Sequence, residues 1–393
     1  MDAALFAQII SDPRINDWQK LNYKYPTVDL KELATLMQTS VYEKVPLPDF
    51  KGCDLVINRT LCQSNNETYR RILKARTDQG KFGLIAMEEE IAATLTIEDI
   101  DFSRDSVRKI LRGFAPVDDS EARIGGLKKG LEFISDLQNG ITEQAIHDLY
   151  MTAIGPYVKE RDQLISGRYY RHDSVFIVSL DVDHTGLPHD KLPDHMTKLV
   201  HFIQAEDHLD HLVKAAIVHF YLAYLHPYFD GNGRMARLLQ LWFLVQKGYP
   251  STLFIPFSSY VEKSRRMYYQ AFTMIEKNEA LSGLIDVTPF LIYYNEHVYR
   301  KMRDCDPAVR TMDDFKQILD SGTITVKEKE LWSFVLASYG DREFSTKQIE
   351  RDYGHAAYAT IRSFVFKFTG LGLLSVRQYR NRNKYRVRFN ERD

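Results

Sequence analysis

Residues 226–237 read HPYFDGNGRMAR, and the residue types in this short stretch suit chemistry on a phosphate. His226 is the nearby side chain whose unperturbed pKa lies close to neutrality, which makes it the natural general base for a hydroxyl nucleophile. Asp230 supplies a hard carboxylate oxygen suited to Mg²⁺, which normally arrives on nucleotide phosphates. Gly231 and Gly233 remove side chains, so that backbone N–H groups can approach an anion. A helix beginning near Arg234 would turn its positive end toward the same point. Arg234 and Arg237 lie three residues apart, on one face of that helix, where guanidinium forks can grip phosphate oxygens. Group transfer at phosphorus needs such positioning and charge neutralisation more than it needs covalent help.

These groups have to be held by helices, because helical periodicity dominates the chain. Apolar positions recur at three- and four-residue spacing over 28–40, 66–93, 119–137, 142–152 and 206–225, with a further run from Asp105 and Ser106 to Leu111. The segment 206–225 is apolar over much of its surface near its end, which predicts a buried helix leading into His226. RMARLLQLWFLVQKG predicts a second buried helix, ended by Gly248 and Pro250. Residues 260–272 and 286–303 are helical again. Residues 174–180 (SVFIVSL) differ: β-branched and aromatic, then turn-rich, they predict a short strand or hairpin.

The character changes near 304–326, where charges, a proline and a Ser-Gly turn predict a domain boundary. Beyond it come a helix at 327–339, a second capped by Ser345 or Thr346, and a third, HAAYATIRSFVFKF, ending at Gly370 or Gly372. LLSVRQYRNRNKYRVRF then gives two alternating runs around Arg-Asn-Arg-Asn, a hairpin signal. Three helices and a basic hairpin resemble a winged helix-turn-helix. Arg377, Arg380, Arg382, Lys384, Arg386 and Arg388 crowd this hairpin, with Tyr379 and Tyr385 between them. They suit a wing on a phosphate backbone, or a solvated edge whose charge blocks aggregation. The preceding helix offers only Arg362 and Lys367, so binding of DNA is left open.

Bulk properties bound the reading. The 393 residues suit two or three domains, and 44% hydrophobic content is ordinary for a globular chain. A net charge of −1 argues against a protein dominated by nucleic-acid contacts. Cys53, Cys62 and Cys305 are sparse and odd in number, which suggests reduced thiols rather than a disulfide framework. No signal peptide or membrane-length apolar run is evident, so the expectation is a soluble cytoplasmic protein with no membrane partner.

HPYFDGNGRMAR resembles the signature of the Fic family, HxFx(D/E)GNGRxxR, matching at His226, Asp230, Gly231, Asn232, Gly233, Arg234 and Arg237 and departing at Tyr228, where Phe is usual. The resemblance implies a mainly α fold: a Fic-type helical bundle with a short β-hairpin flap, followed by the winged helix-turn-helix. It implies a protein adenylyltransferase that moves AMP from ATP, with Mg²⁺, onto a Ser, Thr or Tyr hydroxyl of a target protein. His226 would deprotonate that hydroxyl and Asp230 would hold the metal. The Gly231 and Gly233 amides and Asn232 would cradle the phosphates, with Arg234 on the β-phosphate region and Arg237 on the γ-phosphate.

Residues 92–111 (AATLTIEDIDFSRDSVRKIL) resemble the family's inhibitory helix, (S/T)xxxE(G/N), with Thr94 and Glu98 in place and Asp99 where Gly or Asn is usual. A carboxylate offered to Arg237 would occupy the arginine that the γ-phosphate needs. RYYRHDSVFIV resembles the family's flap, so Val175, Phe176 and Ile177 would bind the target segment as an added strand. SSYVEKSRRMYYQAF resembles the helix beside the adenine pocket, where Tyr268 and Tyr269 could stack. The implied domains are an N-terminal helical region over 1–85, a Fic domain over 86–305 and the winged helix over 320–393. Removal of AMP, with Glu98 orienting a water, and a DNA-binding regulator that uses the Fic module as a nucleotide sensor are the alternatives. A homodimer is left open.

Overall fold

The computed structural model describes residues 1–62, 84–178, 183–305, 324–339, 342–354, 356–379 and 382–388. Residues 66–83 of the predicted 66–93 helix, most of the predicted boundary segment, the end of the 174–180 run and Arg380 in the basic hairpin lie outside the described residues.

The architecture is mainly helical, with three separate two-stranded antiparallel sheets among the described residues. Helices α1 (Ala3–Ile10), α2 (Trp18–Lys24) and α3 (Leu30–Ser40) come first, followed by β1 (Glu43–Pro48) and β2 (Asp54–Ile57). This first hairpin was not foreseen. Pro46 and Pro48 sit in β1 and demote it as a strand on sequence, yet Val45 and Leu47 are fully buried there. After a short turn of helix, α4 (Arg59–Cys62), come α5 (Leu84–Ile97), α6 (Arg104–Leu111), α7 (Asp119–Ser135) and α8 (Glu143–Ala153). Next are the β3 (Phe176–Val178) and β4 (Asp183–Thr185) hairpin and α9 (Leu192–Gln204), a helix the periodicity reading passed over. Two long buried helices, α10 (His211–Leu225) and α11 (Asn232–Gln246), flank the signature loop. Then come α12 (Phe257–Lys263), α13 (Arg265–Ser282), α14 (Thr288–Tyr293) and α15 (Arg300–Cys305), with a π-helical stretch at Tyr294–Tyr299 before α15.

Local chemistry starts these helices where the chain needs them. Asp29, Ser103, Asp118, Thr142 and Asp210 each lend a side-chain oxygen to first-turn N–H groups. The main hydrophobic core runs from Val45 to Met302 and includes the inner faces of α5, α7, α8, α10 and α11. A satellite core around Trp18, Leu33 and Met37 packs the N-terminal helices, and Leu281 and Leu284 lie against it.

A third core, from Leu331 to Val387, belongs to the C-terminal elements. These are α16 (Val326–Tyr339), α17 (Thr346–Tyr353), α18 (Tyr358–Gly370) and the β5 (Leu374–Tyr379) and β6 (Arg382–Val387) hairpin. Ser345 opens α17 with a complete capping box through Gln348. Phe344 pairs with Tyr385 as an isolated bridge beside the hairpin. This unit touches α5 directly: Arg342 Nη1 lies 3.1 Å from Glu88 Oε2, a carboxylate that also takes Arg108 Nε at 3.0 Å.

Candidate active site

The signature loop joins α10 to α11. Helix α10 ends on His226, which adopts a left-handed conformation (φ 52, ψ 59) that costs a non-glycine residue on the order of 1 kcal/mol. Its Nδ1 lies 3.2 Å from the Ala223 carbonyl. A carbonyl only accepts, so Nδ1 carries the proton in the neutral ring and Nε2 keeps its lone pair. Gly231 then turns the chain at φ 87 into α11, and a Cβ there would lie 2.4 Å from Ile154 Cγ2. Helix α11 therefore presents its first-turn N–H groups at the loop, and a helix cannot satisfy these internally.

Two buried cations face this helix end. Arg234, 2% exposed, reaches Asp230 Oδ1 at 2.9 Å and leaves its Nε without a partner among the described residues. Arg237, 4% exposed, donates from Nε to Thr94 Oγ1 at 2.7 Å and from Nη2 to Glu98 Oε1 at 2.6 Å, while Nη1 has no partner among the described residues. Burial works against the Arg237 charge, and the Glu98 carboxylate outweighs it, so its pKa lies above the ordinary arginine value. Gly233 sits under this pair: a Cβ there would meet Glu98 Oε1 at 2.4 Å and Arg237 Nη1 at 3.3 Å. Orphaned guanidinium donors beside a glycine turn and a helix N-terminus make an anion site with one of its cations already occupied.

The helix that brings Glu98 here is fastened along its length. Glu90, buried on α5, accepts from Ser258 N at 2.8 Å and from the Ser258 hydroxyl, and burial raises its pKa. Glu89 pairs with Arg104 at 2.6 Å. Asp99, just past the helix end, takes φ 52, the left-handed conformation that the usual Gly or Asn adopts readily. Its carboxylate takes both Nη1, at 2.7 Å, and Nη2 of Arg265, which also reaches the Thr96 carbonyl at 3.3 Å. Asp99 thus meets the backbone demand and adds an ion pair that Gly could not.

Several expectations change in detail. The Asn232 side chain is committed to the loop: Oδ1 accepts from Tyr228 N at 2.9 Å and Nδ2 donates to Tyr228 O at 2.8 Å. What Asn232 leaves for an anion is its backbone N–H. Tyr228 is fully buried, stacked on Tyr150 at 3.7 Å, and its hydroxyl finds no partner among the described residues. Tyr268, expected beside the adenine pocket, is turned inward. It is 4% exposed, and its hydroxyl donates to Nε2 of the buried His219 at 3.0 Å, so its face is core. Tyr269 is half-buried, with its hydroxyl 3.3 Å from the Ile97 carbonyl. In the predicted flap, β3 pairs antiparallel with β4 through Phe176–Thr185 and Ile177–His184. Val175 is buried and Phe176 is 78% exposed.

Arg171 was missed by sequence reasoning, as was Arg265. Arg171 sits at the base of the flap and hydrogen-bonds the carbonyl of His226 itself. Little local marks it, since two of its three side-chain partners are 16 and 55 residues away.

Residues 142–244 match the family model described as Fic/DOC family. "Protein adenylyltransferase fic-1" of Caenorhabditis elegans is 31% identical over 125 residues, covering 31% of this chain and 22% of that protein. "Protein adenylyltransferase Fic" of Nematostella vectensis is 29% identical over 172 residues, covering 42% and 35%. The chain thus spans about a third or less of the length of these curated relatives. Among solved structures, a Fic family protein from Desulfovibrio desulfuricans G20 aligns with a TM-score of 0.47 at 19% identity, covering 78% of this chain and 88% of that one. The matched segment includes the flap, the signature loop and most of α11. Through residues 142–244 the chain is similar to the Fic/DOC family.

Proposed function

We propose that this protein is a protein adenylyltransferase held off by its own Glu98. The observation that carries this reading is His226, with its tautomer set by Ala223, at the edge of an anion cradle built from the α11 N-terminus and two buried arginines. The substrate hydroxyl oxygen attacks the α-phosphorus of ATP. His226 Nε2 takes the hydroxyl proton as the new P–O bond forms, the bond to the β-phosphate oxygen breaks, and pyrophosphate leaves. Arg234 and the α11 amides neutralise charge on the β-phosphate, and Arg237 on the γ-phosphate once Glu98 has left it. Thr94 steadies Arg237 from the other side.

Mg²⁺ fits the donor set. Asp230 offers a carboxylate whose side chain is 47% exposed at the mouth of the cradle. No group of three or more His, Cys, Asp or Glu residues able to hold a metal occurs among the described residues, so phosphate oxygens would complete the coordination. The metal would supply charge neutralisation at the phosphates.

The target protein would add a strand to the β3–β4 hairpin, where Phe176 stands exposed. Among the described residues no helix is long and apolar enough to cross a membrane. The sparse cysteines fit a cytoplasmic location.

The test is incubation with ATP labelled at the α-phosphate, using the Glu98→Gly protein. Label should pass to a protein hydroxyl and vanish in Glu98→Gly with His226→Ala, while ATP still binds. No transfer from Glu98→Gly would sink the reading, and lost ATP affinity in the histidine variant would make His226 structural.

One observation favours a second role for the C-terminal unit, as a winged helix over 320–393. The hairpin register puts Arg377 opposite Lys384, Ser375 opposite Arg386 and Tyr379 opposite Arg382, so the basic residues share one face. That face suits a phosphate backbone. A gel shift with and without residues 375–388 tests it.

A further inference from the structure

Arg171 does not belong to the signature, yet it is one of the largest fully buried side chains in the protein, at 2% exposure. Its guanidinium is spent on carbonyl oxygens. Nε donates to His226 O at 2.8 Å, Nη1 to Asp173 O at 2.6 Å and Nη2 to Leu187 O. Its backbone N–H adds a bond to Pro227 O at 2.9 Å. Burial pulls the Arg171 pKa below the ordinary arginine value, opposed by the charge of Asp173.

The three carbonyls mark three ends. Asp173 precedes β3 and Leu187 follows β4, so they are the two roots of the flap. His226 is the proposed base, in a left-handed conformation that its own helix does not favour. The planar guanidinium fork meets all three at once from three separate nitrogens, a wider and more rigid span than one ammonium nitrogen offers. A second tie closes the flap root: Gly186 N donates to Val175 O at 2.9 Å.

We propose that Arg171 is a positioning residue that fixes the distance between the flap, and hence a target strand laid on it, and the His226 imidazole. This deepens the adenylyltransferase reading and rests on it. Arg171 touches neither nucleotide nor hydroxyl. It acts by holding both sides of the proton-transfer geometry to one rigid joint, and misplacement there by about 1 Å costs roughly a hundredfold in rate.

The experiment uses the full chain carrying Glu98→Gly, with Arg171→Lys and Arg171→Ala added separately. Transfer of label from α-labelled ATP, ATP affinity and amide hydrogen exchange are measured on each. Arg171→Lys should lower transfer by roughly ten- to a hundredfold, with the ATP dissociation constant unchanged. Exchange should quicken across the flap-root residues 171–176 and 183–187, while 232–246 stays protected. Millimolar guanidinium chloride should restore transfer in Arg171→Ala, and sodium chloride should not.

Unchanged transfer or unchanged flap-root exchange in Arg171→Lys would overturn the proposal. So would an equal loss of ATP affinity, or loss of protection throughout the chain, since either makes Arg171 a general structural residue. Failure of the functional reading shows separately, as no transfer from the Glu98→Gly parent. The exchange measurements then still decide whether Arg171 ties the flap roots to His226.

Discussion

Replacing Glu98 separates inhibition from catalysis, and its size follows from the geometry. Glu98 Oε1 lies 2.6 Å from Arg237 Nη2, with side-chain exposures of 24% and 4%. A charge-assisted hydrogen bond of this kind is worth about 1.5–3 kcal/mol. A productive triphosphate has to displace it, and each 1.4 kcal/mol is about tenfold, so Glu98→Gly should raise transfer roughly ten- to a hundredfold. Without nucleotide the same change strips a buried arginine of its anion and should cost about 1–3 kcal/mol of stability. ATP should restore that stability by binding the folded state. Initial rates with α-labelled ATP and thermal melts with and without ATP read both effects. Glu98→Gln distinguishes charge from bulk, because it keeps the shape beside Gly233 and removes the anion. A rise of less than about threefold in Glu98→Gly, or a Glu98→Gln protein as silent as the parent, would refute the competition argument.

Other outcomes follow from single contacts. Tyr228→Phe removes a buried hydroxyl without a partner and should stabilise the protein by about 1 kcal/mol, seen as a higher unfolding midpoint. Gly231→Ala should destabilise by roughly 2 kcal/mol or more in the same assay, because φ 87 and a 2.4 Å approach to Ile154 Cγ2 both oppose a Cβ. His219 is fully buried between Gln240 and Tyr268, and burial holds its pKa down at about 3, below its ordinary 6.5. Its contribution to stability is therefore present above pH 6.5 and fades as pH falls toward 3, by about 1.4 kcal/mol per pH unit. In NMR the His219 ring should stay neutral at pH 5, and titration near pH 6.5 would contradict the burial argument.

The site was legible where chemistry is local. His226, Asp230 and the two glycines lie within one loop, and their types announce an anion cradle. Helix α11 was legible too, since between Arg234 and Gln246 only Arg237 and Gln240 interrupt its apolar residues. Other features depended on distance. Asn232 resembles a phosphate ligand by type, but its amide matches the backbone of Tyr228, and only the folded loop shows that. Tyr268 and Tyr269 read alike as neighbouring aromatics, yet the helix turns one to the core and the other toward α5. The β1 strand hid behind its prolines, because burial of Val45 and Leu47 overrides strand propensity. Arg171 and Arg265 went unremarked in the sequence, because the flap roots and the end of α5 that they hold come together only in the fold.

The mounting of α5 bears on how the proposed inhibition could be lifted. Glu88, Glu89, Glu90 and Asp99 tie it to α6, α12, α13 and the C-terminal unit, whereas the inhibitory contact is a single carboxylate and a threonine. A mutation at one codon removes the carboxylate from Arg237 and leaves it only the Thr94 contacts. A binding partner that worked by lifting the helix would have to undo several ion pairs and a buried carboxylate together. Release is therefore cheap for the side chain and steep for the helix. Under the proposed autoinhibition, such a switch would be set by nucleotide competing for Arg237 rather than by displacement of the helix.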